Sequence, residues 1–246
     1  MHHLPARKRR FRRAFGKGQR DAQGIRQESD EVQKIKYLGI FETVGQRGAP
    51  DAFGWIAKLL NRRYGFHNLK ICANVLSARH AVGIDENRLG FPATLWEKLD
   101  ESNKEAGRLA YEQRWFIGTH GDVGGGEAST LSAAPLKWVV DGSKREGLVF
   151  YGTAESPLLH AVKDEANCFE SKISFPGFAN SMFPLNWPVR PRKIWTSSAK
   201  PTPEIAASLI DASAIKRTEA TNVSPRYHPP SLRPFRKALS KEFRGK

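Results

Sequence analysis

Between Val32 and Leu148 the chain alternates compact apolar runs with polar, glycine-containing breaks. That is the pattern of short buried strands joined by turns and helices. Val32 to Phe41 (VQKIKYLGIF) ends in Ile35, Tyr37, Leu38, Ile40 and Phe41, which reads as a buried strand halted by Glu42-Thr43-Val44-Gly45. Pro50 and Gly54 mark a loop, and Trp55 to Leu60 reads as a short amphipathic helix. Ile71, Val75, Leu76, Ala78 and Val82 recur at helical spacing, so a helix is predicted over Leu69 to Val82. Ser102 to Arg108 is polar and expected on the surface. Gln113 to Thr119 (QRWFIGT) is a second strand-like run, centred on Trp115, Phe116 and Ile117. It leads at once into His120-Gly121-Asp122-Val123-Gly124-Gly125-Gly126. A helix is predicted from about Ala133 to Arg145, with Leu136, Val139 and Val140 on one face and Gly147 at its C-cap. Strand, glycine-rich turn and helix in succession predict an α/β fold, with parallel strands flanked by helices.

Length and charge then change the picture. The 246 residues suit one large α/β domain or two small ones. No run reaches the roughly 20 apolar residues of a membrane span, and no apolar segment follows the basic amino terminus as a signal peptide requires. Cys72 and Cys168 are too few for a disulfide framework or a cysteine-rich zinc site. The net charge of +15 suggests a nucleic-acid binder, but it is unevenly placed. Residues 1–36 carry +7, residues 190–246 carry +9, and residues 37–189 carry −1. Residues 1–32 therefore read as a basic, flexible arm. Residues 190–246 read as a basic Pro-rich segment, with a short helix near Pro203 to Ile210, partly packed on the domain to about residue 235. Neither end shows zinc-finger spacing or aromatic-interleaved RNA-binding residues, so nucleic acid is not the expected partner.

The candidate chemistry lies in the neutral middle. In parallel sheets, ligand and catalytic residues gather beyond the carboxyl ends of the strands. Glu42 follows one predicted strand and His120 follows another. An acid and a histidine on that edge form the acid–base half of a nucleophile relay, the acid orienting the imidazole that takes the nucleophile's proton. The nucleophile is the gap, because no Gly-x-Ser-x-Gly occurs in the chain. Ser29 lacks flanking glycines, and Ser143 falls beside a predicted helix. Asp122 reads as a turn or backbone-amide cap. Gly121, Gly124, Gly125 and Gly126 read as a permissive turn, or as amides facing an anion. Asp85, Glu86 and Arg88 read as an ion-pair group or a substrate contact. His67 and His80 lack metal-site spacing, and neither metal nor cofactor is expected. Trp115 and Trp138 read as core.

Three blocks carry a family resemblance: KYLGIFETVG (36–45), HAVGIDENRLGFPATLW (80–96) and WFIGTHGDVGGGEASTLSAAPLKWVVDGSKREGL (115–148), with a fainter match at SPRYHPPSL (224–232). They resemble the α/β-hydrolase domain family that includes the type VI secretion phospholipase effectors, over about residues 33–235. The resemblance implies a partial α/β-hydrolase sheet, residues 33–189 being the carboxy-terminal part of a catalytic domain. It implies ester hydrolysis with phospholipid as substrate, His120 as catalytic base and Glu42 as its acid, in a position where the family usually carries Asp. It implies Gly121, Asp122, Gly124, Gly125, Gly126, Asp85 and Arg88 as supporting residues. The family's nucleophile lies in a Gly-Phe-Ser-Arg-Gly elbow upstream of the acid, so the resemblance implies a chain truncated on that side and inactive alone. A bacterial cytoplasmic product, exported by type VI secretion with an immunity or spike partner, also follows from it. The opposing expectation is a non-catalytic remnant, binding acidic partners through its basic ends.

Overall fold

The computed structural model describes residues 34–43, 71–88, 91–126, 130–150, 168–175, 191–192, 194, 209–222, 226–237 and 239. The chain divides into two compact units, Met1–Ile35 and Lys36–Lys246, and every element below belongs to the second. The amino-terminal arm, the helix expected at Trp55 to Leu60 and most of the one expected at Pro203 to Ile210 lie outside the described residues.

Three parallel strands form a sheet in the order β1 (Leu38–Phe41), β2 (Ala78–Gly83), β3 (Tyr111–Phe116). The protein is thus an α/β fold with helices on a parallel sheet. The connection from β2 to β3 carries α1 (Leu99–Ala106), whose residues are all at least partly exposed. β3 runs into the five-residue α2 (His120–Gly124), a 3-10 turn at Thr130–Ser132 and then α3 (Ala133–Arg145). A later helix, α4 (Ala212–Glu219), is capped by the Asp211 side chain, which accepts from the Ser213 amide. The helix expected from Ala133 to Arg145 is present at those residues, and Gly147, one past its C-cap, takes a left-handed φ of 86°.

Strand alternation sorts the core into two layers. Ala81 and Phe116 point to one face, where α3 packs Ala133, Ala134, Trp138 and Val139 against them. Val82 and Trp115 point to the other, against Ile194, Ala214, Ile215, Tyr227, Leu232, Phe235 and Leu239. The second face of the sheet is therefore covered by the end of the chain. That segment also touches the outer edge of β3, where the Trp115 amide donates to Leu209 and the Asp211 amide donates to the Trp115 carbonyl. α3 approaches β1 so closely that a Cβ on Gly39 would stand 2.5 Å from Val139 Cγ1.

Two expectations need correction. The helix expected over Leu69 to Val82 is not formed: Ala78–Gly83 is the central strand. All six of its residues are buried, so its two-residue period is hidden, and the buried polar pair Arg79 and His80 mimics the exposed face of a helix. Tertiary partners absorb both side chains. Arg79 donates to Glu112 at 2.9 and 3.0 Å and to the Trp138 carbonyl, with its guanidinium over the Trp138 ring. β1 is half-buried rather than buried, and Ile35 is exposed.

Candidate active site

The three strands end side by side, and each delivers one polar group to the same edge. β1 ends at Glu42, whose amide still bonds to the Ala81 carbonyl at 2.8 Å. Its φ of 47° is left-handed, a strained conformation for a residue with a side chain. The turn directs the carboxylate back over the sheet edge, where only 2% of the residue is exposed. β2 ends at Gly83, whose amide donates to Glu42 Oε1. Gly83 has to be small, because a Cβ there would stand 2.6 Å from the Gly118 carbonyl.

β3 leads through Gly118, at φ 111°, to Thr119 and His120. Asp122 fixes this turn. Its carboxylate accepts from the Thr119 amide at 2.9 Å, the Thr119 hydroxyl at 3.0 Å and the Ser174 amide at 3.1 Å. The acid at the third helical position thus reaches back to the cap of α2, as in a capping box. The glycine run closes the same turn. The Gly125 and Gly126 amides both donate to the Gly121 carbonyl, so they are engaged within the turn rather than facing an anion. Gly124 has open space around its Cα.

His120 is therefore the first residue of α2, held by its own backbone. Its amide donates to Glu86 Oε2 at 3.1 Å. Its Nδ1 lies 3.2 Å from Glu42 Oε2, and about a third of its side chain is exposed. The Phe91 ring tilts against the imidazole at 5.2 Å between centroids. The extra methylene of Glu42 does not prevent contact, because the left-handed backbone brings the longer side chain back over the edge.

Residues beyond those expected from sequence complete the arrangement. Arg192, from the Pro-rich end of the chain, grips Glu42 with two nitrogens, Nη1 to Oε1 at 2.7 Å and Nη2 to Oε2 at 2.9 Å. The same guanidinium donates to the Gly83 carbonyl at 2.8 Å and the Phe91 carbonyl at 2.7 Å. Burial alone would raise the Glu42 pKa, but bonds from His120, Arg192 and the Gly83 amide hold it down at about 2. Glu42 is thus a carboxylate at any ordinary pH.

His80 lies beneath this edge, fully buried. Its Nε2 accepts from the Thr43 amide at 3.3 Å, so Nδ1 carries the proton and donates to Gln113 Oε1 at 3.1 Å. Gln113 Oε1 also accepts from the Trp96 amide at 3.0 Å. Burial pushes the His80 pKa down to about 4, so the ring is neutral and pins the residue after Glu42.

Of the expected supporting residues, Glu86 and Arg88 form an ion pair at 2.7 Å, and Arg88 lies over the Phe91 ring. Asp85 stands apart from that pair. Its Oδ2 accepts from the Gly118 amide at 2.7 Å and the Tyr227 hydroxyl at 2.8 Å, and burial raises its pKa to about 6. Ser143 is buried with its hydroxyl on the Val140 carbonyl. Trp115 and Trp138 are in the core. Among the described residues no cluster of His, Cys, Asp and Glu suits a metal ion, and no helix is long and apolar enough to cross a membrane. Arg192 gave no signal in the sequence, where it is one arginine among several in a basic tail.

No curated protein and no solved structure matches the chain. One family does, described as type VI secretion system, phospholipase effector Tle1-like, catalytic domain, over residues 3–142. The matched span takes in the basic amino-terminal residues, contains Glu42, His80, Glu86 and His120, and ends before Arg192. It is more than half of the 246 residues, and the chain belongs to the family of type VI secretion phospholipase effectors with a Tle1-like catalytic domain.

Proposed function

We propose that Glu42 and His120 are the acid and the base of an acyl-transfer relay that hydrolyses phospholipid esters. The observation that carries this reading is the contact between a buried, ionised carboxylate and Nδ1 of a partly exposed histidine, at the carboxyl edge of a parallel sheet. With Nδ1 turned to Glu42, the other ring nitrogen is left to take the proton of a nucleophile. The carboxylate then stabilises the imidazolium that forms. His120 gives that proton to the leaving alkoxide as the acyl-serine forms; in the second half of the reaction the same nitrogen takes a proton from the water that attacks the acyl-serine and returns it to the serine oxygen as the fatty acid leaves.

The nucleophile is the remaining part. Since the 246 residues hold no Gly-x-Ser-x-Gly, the relay works with a serine elbow carried on a further polypeptide segment. Lipid as substrate, export as a type VI effector and an immunity partner are the family's properties, extended to this chain as proposals.

The test is fatty-acid release from phospholipid vesicles, with the chain alone and with a strand–Gly-x-Ser-x-Gly–helix polypeptide taken from a family member. Release is expected only from the combination, and His120→Ala is expected to lower it by about 10²–10⁴-fold, the usual worth of a general base. Release that survives His120→Ala, or no release from the combination, contradicts the relay. If the combination stays inactive while the chain binds duplex DNA with a steep salt dependence, the basic ends carry the function as an interaction module.

A further inference from the structure

Oε2 of Glu42 is shared between two donors. It accepts from Arg192 Nη2 at 2.9 Å and faces His120 Nδ1 at 3.2 Å. Oε1 takes Arg192 Nη1 at 2.7 Å and the Gly83 amide. Both side chains of the ion pair are buried, at 1% and 8% exposure, so water screens their charges poorly. Arg192 is charged at any ordinary pH, and Glu42 is ionised. Together they place a pair of zero net charge beside the imidazole.

A lone buried carboxylate would act differently on His120. An opposite charge within about 4–6 Å favours the charged form of a group and moves its titration by about 1–3 pH units. The ring would then be pushed toward carrying protons on both nitrogens, and such a ring cannot take a proton from a nucleophile. Orientation and basicity are therefore separate requirements. The bond from Nδ1 meets the first, and a cation on the far side of the carboxylate meets the second.

The other charged groups around the ring have partners elsewhere. Glu86, which accepts the His120 amide, is paired with Arg88 at 2.7 Å. Asp122, on the same helix as His120, is bonded to Thr119 and Ser174. His80 is neutral and bonded to Gln113 and the Thr43 amide. Asp85 bonds to the Gly118 amide and the Tyr227 hydroxyl. Arg192 is the cation seated on the carboxylate that His120 faces.

We propose that Arg192 is a positioning residue for the base: its guanidinium cancels the Glu42 charge, so that the carboxylate orients His120 without holding a second proton on it. The catalytic meaning of this rests on the relay reading, and the electrostatics do not. Arg192 lies beyond the residues 3–142 that the family matches, so the Pro-rich end of the chain supplies a part of the relay.

The test is a titration of the His120 ring in the full chain by nitrogen-15 and proton spectra, its signals assigned by their loss in His120→Asn. In Arg192→Gln the midpoint is expected to rise by about one pH unit or more. Arg192→Lys keeps the charge and is expected to leave the midpoint close to that of the unsubstituted protein, although it loses the fork. Glu42→Gln combined with Arg192→Gln replaces the ion pair by a neutral one, which a buried site tolerates better than the loss of one partner. That double variant is expected to bring the midpoint back. Asp85 titrates in the same range but is common to every variant, so the comparison removes its effect. Thermal unfolding shows which variants are folded. If Arg192→Gln is not, Glu42→Gln gives the converse reading, because the unopposed guanidinium is expected to lower the midpoint. A merely structural Arg192 predicts shifts that follow lost stability, equal for Arg192→Gln and Arg192→Lys or largest in the double variant. Either pattern, an unmoved midpoint in Arg192→Gln, or an unmoved midpoint in Glu42→Gln overturns the proposal. In the serine-elbow combination, the acid limb of the rate profile is expected to move up with the midpoint in Arg192→Gln. The titration needs no turnover, so absence of hydrolysis contradicts the relay and leaves the titration standing, while an unmoved midpoint contradicts this role of Arg192 and leaves the relay to the hydrolysis assay.

Discussion

Glu42 combines three conditions that each cost stability: a left-handed backbone, near-complete burial and a negative charge. Residues are held in such conformations only where their surroundings over-determine them, and such sites are often functional. Arg192 is the main counterweight, because it matches both carboxylate oxygens and two backbone carbonyls at once. Removing one partner of a buried ion pair costs roughly 3–5 kcal/mol, so Arg192→Ala should lower the unfolding free energy read from urea denaturation by that order. Arg192→Lys, which keeps the charge but not the fork, should recover only part of it. The titration of Glu42 runs in the usual carboxylate direction. Its folded pKa lies below the unfolded value, so its stabilisation is present above about 4.5 and is lost as pH falls toward 2.

Asp85 has the opposite sign. Its folded pKa is raised from 3.8 to about 6, so the stability it contributes is present below 3.8 and is lost as pH rises through 6. Both of its hydrogen bonds fall on one oxygen, which an asparagine carbonyl can replace. Asp85→Asn should therefore raise the melting temperature at pH 7, and the gain should shrink as pH falls from 6 to 4. A gain that does not change with pH would contradict the burial argument. Tyr227 does not compete in this range, because burial and Asp85 hold its hydroxyl protonated well above the ordinary value.

At the scale of elements, the fold depends on close approaches that glycine permits. Gly39 on β1 lies under Val139 of α3, where an added Cβ would stand 2.5 Å from Cγ1. Gly39→Ala should cost about 1–3 kcal/mol by overpacking. Combining it with Val139→Ala should remove much of the penalty, giving a favourable coupling in a double-mutant cycle. Additive losses would mean that α3 and β1 do not meet as described. The same scale shows what sequence patterning can reach. β3 and α3 were legible because the run Trp115-Phe116-Ile117 and the apolar face of the helix stand out and are bounded by Gly118 and Gly147. β2 was not, because a strand buried on both faces loses its alternation, and Arg79 and His80 find partners only in the tertiary structure. Glu42 and His120 were legible as strand-terminal residues in distinctive surroundings. Their contact, across 78 positions, appears only when the strands align.

For the molecule as a whole, the basic charge and the site are separate matters in sequence but not fully so in space. The neutral middle supplies the acid and the histidine. The basic end supplies Arg192 to the acid and Ala214, Tyr227 and Leu232 to the core of the same sheet. No local pattern reveals this, because Arg192 bonds across 150 positions to Glu42. His80 adds a whole-protein pH effect. Its folded pKa is depressed to about 4, so its contribution is present above 6.5 and is lost as pH falls through 4. Between about 4 and 6 this loss opposes the gain from Asp85, so the Asp85→Asn protein should lose stability more steeply on acidification than the unsubstituted one.

The central claim is that Glu42 orients His120 through Nδ1, and the most direct measurement of it is the nitrogen-15 spectrum of the imidazole side chains at neutral pH. A neutral His120 is predicted in the Nδ1–H form, with that proton shifted downfield by the carboxylate and the shift abolished in Glu42→Ala. A His120 ring in the Nε2–H form, or a ring whose signals are the same in Glu42→Ala, would contradict it.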